Sequence, residues 1–292
     1  MKKIYAKIFL IGYAVASVAH ALGLFLLYKA KADLPNQRIV TMNLAAAEMM
    51  LCLWTVCAYA VKLILGVFFP DKTLHYMTCF FEIFLYTNIR FVLIHIIIDR
   101  FLYVWLHLKY SIYINKRSLP KIIVCYWLGS SLLGVLFTLL VRFQVIDMHM
   151  YFHAFLNLIL ALDVLIVTLA IITYVYLFSK VRKLSRSPSA RSRKVTVNEV
   201  AGVWRKLKIP TLMVLSFVIF NFSVTIIQTI MTKNHTPALL QDLYNTASFL
   251  DMFGWLSDAV IYIFLQKPVR DMLLSWCKRT EEVEVPLQMN EV

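Results

Sequence analysis

The sequence predicts an all-α protein: a bundle of seven membrane-spanning helices followed by a short amphipathic helix on the membrane surface. Three observations carry that expectation. Apolar residues make up 61% of the 292, with a mean hydropathy of +0.72, well above the make-up of an ordinary soluble domain. Seven apolar runs each supply the roughly 20 helical residues that a bilayer crossing needs. The connections between them are short, so the spans form one domain over residues 1–279 rather than several. Lipid offers backbone groups no hydrogen-bond partners, which leaves helices as the reading for runs this apolar.

Taken in order, the first run, Ala6–Tyr28, is too long for the core of a signal peptide and lacks a convincing cleavage site, so it reads as a span. The second, Ile39–Phe69, carries Glu48, and the third, Leu74–Trp105, carries Glu82, Arg90 and His95. Ile122–Val141 holds Trp127, and Phe152–Phe178 holds Asp163 with Tyr174 and Tyr176 near its end. Ile209–Met231 is the sixth, and Leu239–Leu265, with Asp251 and Asp258, is the seventh. Beyond it Val269, Met272, Leu273 and Trp276 recur at i, i+3, i+4 and i+7, while Arg270, Asp271 and Lys278 face away. That pattern predicts a surface helix over 268–279 lying against lipid headgroups. Cys277 beside it is a palmitoylation candidate, with an idle thiol as the alternative. The tail, 280–292, is short and acidic (Glu281, Glu282, Glu284) and reads as disordered.

Loop charge sets the expected orientation. Lys29, Lys31 and Arg38, then Lys109, Lys116 and Arg117, then the run from Lys180 to Lys208 all fall on one side. The other side holds only Lys72, Arg142 and Lys233, which places the amino terminus outside and the carboxyl terminus in the cytosol. Lys2, Lys3 and Lys7 disagree, but the loop total outweighs them. The net charge of +14 is then mostly cytosolic, facing anionic lipid and acidic partner surfaces. Scattered between spans, it is a poor fit to nucleic acid. Cys79 has no outer-loop cysteine to meet, so no external disulfide is expected, and no Cys/His cluster has metal-ligand spacing. The sequon Asn234-His235-Thr236 is expected outside, where Pro237 beside it favours a plain turn over a glycosylated one.

The end of the third span is the most informative position. Asp99-Arg100-Phe101 places a guanidinium at a membrane face immediately after a carboxylate. Ions are costly there and usually mark function. Glu48 lies 52 residues before Arg100, Trp127 lies 27 after it, and His20 lies 28 before Glu48. Near the end of the seventh span stand Asp258-Ala259-Val260-Ile261-Tyr262. Together these residues resemble the rhodopsin-like (class A) G-protein-coupled receptors over nearly the whole chain. Asp99-Arg100-Phe101 is similar to the family's Asp-Arg-Tyr, and Asp258 to Tyr262 to its Asn/Asp-Pro-x-x-Tyr, with Ala259 in place of proline. There are departures. The sixth span, Phe217-Val218-Ile219-Phe220-Asn221-Phe222-Ser223, has neither the family's tryptophan nor its proline, and Phe217 is its one family-like aromatic. Straighter fifth and sixth helices are expected, or a hinge displaced towards Ser223 or Pro210.

The resemblance implies a receptor in the plasma membrane that passes an extracellular small-molecule or short-peptide signal to a heterotrimeric G protein. At rest Arg100 is held by Asp99 and, if the sixth helix extends that far, by Glu199. On activation it turns to Tyr262, Tyr174 or Tyr176 and the G protein. Serines 185, 187, 189 and 192 in the basic third inner loop are candidate kinase targets. Glu48 and Asp258 resemble the family's sodium-site acids; the alternative is that the pair shares a proton and hydrogen-bonds directly. Glu82 precedes Arg100 by 18 residues, about 27 Å along the helix, where amine-binding members place an aspartate. With Tyr86 a turn below and Asp251 on the seventh span, it points to a cationic ligand, unless Lys62 neutralises it. Arg90 is expected to pair with Asp163 as a lock between spans. The seventh span contains no lysine for retinal, and no constellation suggests an enzyme. Two other readings stay open: a receptor-like protein that does not signal, and an ion- or proton-coupled transporter, against which the lack of internal repeats counts.

Overall fold

A computed structural model describes residues 2–29, 35–65, 72–106, 118–186, 210–232, 237–265 and 269–275. Eight helices run through them. They are α1 Lys2–Lys29, α2 Pro35–Leu65, α3 Lys72–Leu106, α4 Ser118–Arg142, α5 Met148–Arg186, α6 Pro210–Met231, α7 over 237–265 and α8 over 269–275. The prolines of the described residues explain several starts. Pro35, Pro120 and Pro237 stand in the first turn of their helices and Pro210 at the first described residue of α6. There a missing N–H costs nothing and the fixed φ suits the helix.

Six of the helices, α1 to α6, are long and apolar enough to cross a membrane, which makes this a multi-pass membrane protein. The expected count of seven spans is not reached on apolarity. Helix α7 is of similar length, but Asp242, Asp251 and Asp258, with its Asn, Thr and Ser residues, keep it out of that class. It is nonetheless built into the bundle: Met252, Trp255, Ile261 and Tyr262 are buried in the common core beside Phe9 and Tyr13 of α1 and Phe217 of α6. Helix α3 is the axis, with 56% of its apolar window buried, whereas α4, at 11%, lies on the periphery.

Close approach of α4 to α3 depends on Gly134. A Cβ there would stand 3.0 Å from the Phe80 carbonyl oxygen and the same distance from its ring. The α4–α5 connection is compact. Gln144 takes a left-handed conformation (φ 56°) just past the end of α4, and Val145 N–H returns to the Leu140 carbonyl at 3.0 Å. Asp147 then caps α5, its Oδ1 accepting from Met150 N–H at 2.7 Å.

Neither α6 nor α7 carries an interior proline, yet neither is regular throughout. Each contains one π turn, Val218–Phe222 in α6 and Ile261–Leu265 in α7. The first ends directly before Ser223, so of the two expectations, a straighter helix or a hinge displaced towards Ser223 or Pro210, α6 departs from the straight helix by a π turn beside Ser223. Such turns widen a helix by one residue and recur at functional sites. In α8 Val269 is buried and Met272 and Leu273 are half-buried, while Arg270 and Asp271 are exposed, as the amphipathic spacing requires.

Candidate functional site

The polar residues of the apolar helices converge in three places along α3. The first is near its end. Arg100 Nη2 meets Asp99 Oδ2 at 2.8 Å, with both residues more than nine-tenths buried. Charges so placed are costly unless paired, and the pair shares a small cavity with Val40 and Thr41 of α2, Ile96 of α3, and Pro210 and Met213 of α6. Arg100 Nε has no partner among the described residues. Phe101 packs its ring against Tyr176 of α5 at 5.2 Å, and Tyr174 hydrogen-bonds Thr211 of α6. Tyr262 is elsewhere, in the second cluster.

That second cluster joins α1, α2 and α7 in the middle of the bundle. The Tyr262 hydroxyl donates to Glu48 Oε2 at 2.7 Å, and His20 Nδ1 lies 3.5 Å from the same oxygen. The hydroxyls of Ser216 on α6 and Ser257 on α7 are 2.5 Å apart. Among the described residues Asp258 Oδ1 and both amide atoms of Asn88 are buried without a hydrogen-bond partner. Glu48 and Asp258 are both buried in this cluster. Ile89 supplies no hydroxyl from α3, Gly254 has no side chain, and no three His, Cys, Asp or Glu side chains converge on a point among the described residues.

The third cluster lies nearer the start of α3. Arg90 Nε donates to Asp163 Oδ1 at 2.8 Å and Nη2 to Oδ2 at 3.3 Å, tying α3 to α5. The Thr225 hydroxyl on α6 donates to the same Oδ2 at 2.6 Å. The guanidinium also lies over the rings of Tyr86 (5.1 Å) and Phe217 (5.8 Å) and donates to the Tyr86 carbonyl. One arginine therefore organises three helices. Above it opens a cavity of about 100 Å3 between α3, α5, α6 and α7. Its polar wall is Glu82, Tyr86 and Arg90 of α3, Asn221, Thr225 and Gln228 of α6, and Asp251 of α7; its apolar wall is Phe152, Phe155, Leu156 and Ile159 of α5 with Val224 of α6. Asp251 Oδ2 accepts from the Tyr13 hydroxyl of α1 at 2.6 Å, and its Oδ1 has no partner, the Trp255 indole lying outside hydrogen-bond geometry.

So Glu82, Tyr86 and Asp251 share one cavity, as Arg90 and Asp163 share one ion pair. Trp127 serves packing in a definite way: its indole N–H donates to Asn43 Oδ1 of α2 at 2.6 Å. Sequence reasoning missed Tyr13, Asn43 and Thr225. For Thr225 a signal existed, since a hydroxyl one turn beyond Asn221 falls on the same helix face; for Tyr13, a tyrosine in an apolar run, there was none. Cys277, Asn234, Glu199 and the tail 280–292 lie outside the described residues, as does the side chain of Lys62. No family model matches the chain, and no curated protein matches it.

Proposed function

We propose that the chain is a rhodopsin-like G-protein-coupled receptor of the plasma membrane, its amino terminus outside and its carboxyl terminus in the cytosol. In this reading α7 is the seventh crossing. Its low apolarity is tolerable because Asp251 and Tyr262 spend their polar groups on Tyr13 and Glu48 inside the bundle rather than on lipid. The observation that carries the reading is the buried Asp99–Arg100 pair, standing at one end of the central helix while the cavity stands towards the other. A ligand in the cavity touches α3, α5, α6 and α7 at once, and so can bias how α6 lies against α3. Only a ligand that binds the open arrangement better shifts that balance. Moving from almost fully closed to almost fully open takes about 5.5 kcal/mol of differential affinity.

The resting arrangement has Arg100 on Asp99 and Tyr262 on Glu48. Activation exchanges these partners: α6 moves away at Met213, Arg100 leaves Asp99, and Tyr262, Tyr174 or Tyr176 receives it together with the carboxy-terminal helix of the G protein. The π turn Val218–Phe222 lies between cavity and output on α6 and offers the point at which the helix bends. The test is G-protein activation in cells expressing the parent or Arg100→Ala at matched surface levels, at rest and with amine and short-peptide panels. A signal present in the parent and lost in the variant is expected. Signalling unaltered by the substitution would remove Arg100 from the mechanism.

A further inference from the structure

The cavity between α3, α5, α6 and α7 is lined by two carboxyl groups, one more than a single ammonium would need. Glu82 and Asp251 both line it, on different helices, and Tyr86 stands within electrostatic reach of both. Among the described residues neither carboxyl group is in an ion pair. No ion pair or hydrogen bond joins Glu82 to any described residue, and Asp251 receives only the neutral Tyr13 hydroxyl on Oδ2. Its Oδ1 is buried in the wall without a partner, in a residue 8% exposed. Arg90, the cation of the cavity, is already committed to Asp163 through two hydrogen bonds. A buried carboxylate without a counter-charge is expensive, and the buried Asp251 shares this space with a second, half-buried acid, Glu82.

We propose that this cavity binds a small dication: two protonated amines joined by a short apolar spacer, one ammonium on Glu82 and the other on Asp251 Oδ1. The spacer is apolar because Phe155, Leu156 and Val224 line the same cavity as the acids. It is short because the cavity is small, about 100 Å3. Asn221 on the α6 π turn lines the same cavity, so the occupant touches the irregular part of α6. This rests on the receptor reading for its consequence, though not for binding itself.

The full chain in phosphatidylcholine nanodiscs, with radiolabelled 1,4-diaminobutane as the probe, tests it directly. Unlabelled 1,5-diaminopentane should compete at least tenfold better than 1-aminopentane, since the second charged hydrogen bond is worth about that or more. Glu82→Gln and Asp251→Asn keep shape and hydrogen-bonding capacity, and each should bring the diamine down to the monoamine's affinity. Equal competition by diamine and monoamine in the parent would overturn the proposal, whatever the variants do. So would diamine binding that survives both substitutions, or no saturable diamine binding at all. Binding without nucleotide exchange on any G protein would overturn the receptor reading and leave the dication site standing. G-protein activation by another ligand class, with no diamine binding, would do the reverse.

Discussion

Replacing Asp163 by asparagine takes from Arg90 the one carboxylate hydrogen-bonded to it among the described residues. The carboxylate it loses takes three hydrogen bonds, from Arg90 Nε at 2.8 Å, Arg90 Nη2 at 3.3 Å and Thr225 at 2.6 Å. Treated as three ordinary side-chain hydrogen bonds between membrane helices, at about 0.6 kcal/mol each, the loss would be about 2 kcal/mol. Treated as a broken buried ion pair it would be about 3–5 kcal/mol, because the orphaned charge is the larger part. Asparagine can still accept from Thr225 or Arg90, and the Tyr86 carbonyl and the Tyr86 and Phe217 rings remain over the guanidinium. These considerations place the expected loss near 3 kcal/mol, on the order of a hundredfold in the folding equilibrium. Unfolding in mixed micelles by titration with a denaturing detergent measures it. The pair Arg90→Met with Asp163→Leu should recover most of the stability, since no charge is then left behind. Stability of Asp163→Asn within about 0.5 kcal/mol of the parent would refute the claim that this ion pair locks α3 to α5 and α6.

Two smaller perturbations test the packing that holds the site in place. Trp127→Phe removes the indole donor to Asn43 and should cost about 1 kcal/mol in the same titration, with binding affinity unchanged because α4 is remote from the cavity. Gly134→Ala puts a methyl group 3.0 Å from the Phe80 carbonyl oxygen, which, as backbone, cannot swing aside. A loss of about 1–3 kcal/mol is expected, and a neutral result would mean that α4 can shift outward freely.

Much of the helical framework is legible because a bilayer crossing imposes length and apolarity together. The described helices begin and end within several residues of the apolar runs, and prolines at first-turn positions sharpen the starts. Opposite charges stranded in apolar helices are legible as partners, since each needs the other, and this is how Arg90 points to Asp163. The same logic reads α7 ambiguously: Asp251 turns inward to Tyr13 and Asp258 is buried in the bundle, while composition registers both, with the exposed Asp242, as polarity alone. What sequence hides are contacts decided by packing. Tyr13 reaches Asp251 from more than two hundred residues away (|i−j| = 238), and nothing in an apolar run marks one tyrosine as a donor to the seventh helix. The π turns are equally hidden. A missing proline argues for a straight α6, but a helix can also depart from regularity by one inserted residue, and Thr225, bonding Asp163 and the Asn221 carbonyl of that turn, sits just beyond it. Orphaned buried atoms, such as those of Asn88 and Asp258, belong to the same class.

The central claim is that Asp99 holds Arg100, and through it the output end, at rest. Guanine-nucleotide exchange on a panel of purified heterotrimeric G proteins, by the chain in nanodiscs without added ligand, tests this most directly. Asp99→Asn removes the 2.8 Å ion pair and keeps the side chain's shape, so basal exchange should rise about tenfold, the equivalent of about 1.4 kcal/mol released from the closed state. Adding Arg100→Ala to the same variant should abolish the rise. Exchange that is the same in parent, Asp99→Asn and the double variant on every G protein tested would contradict the account.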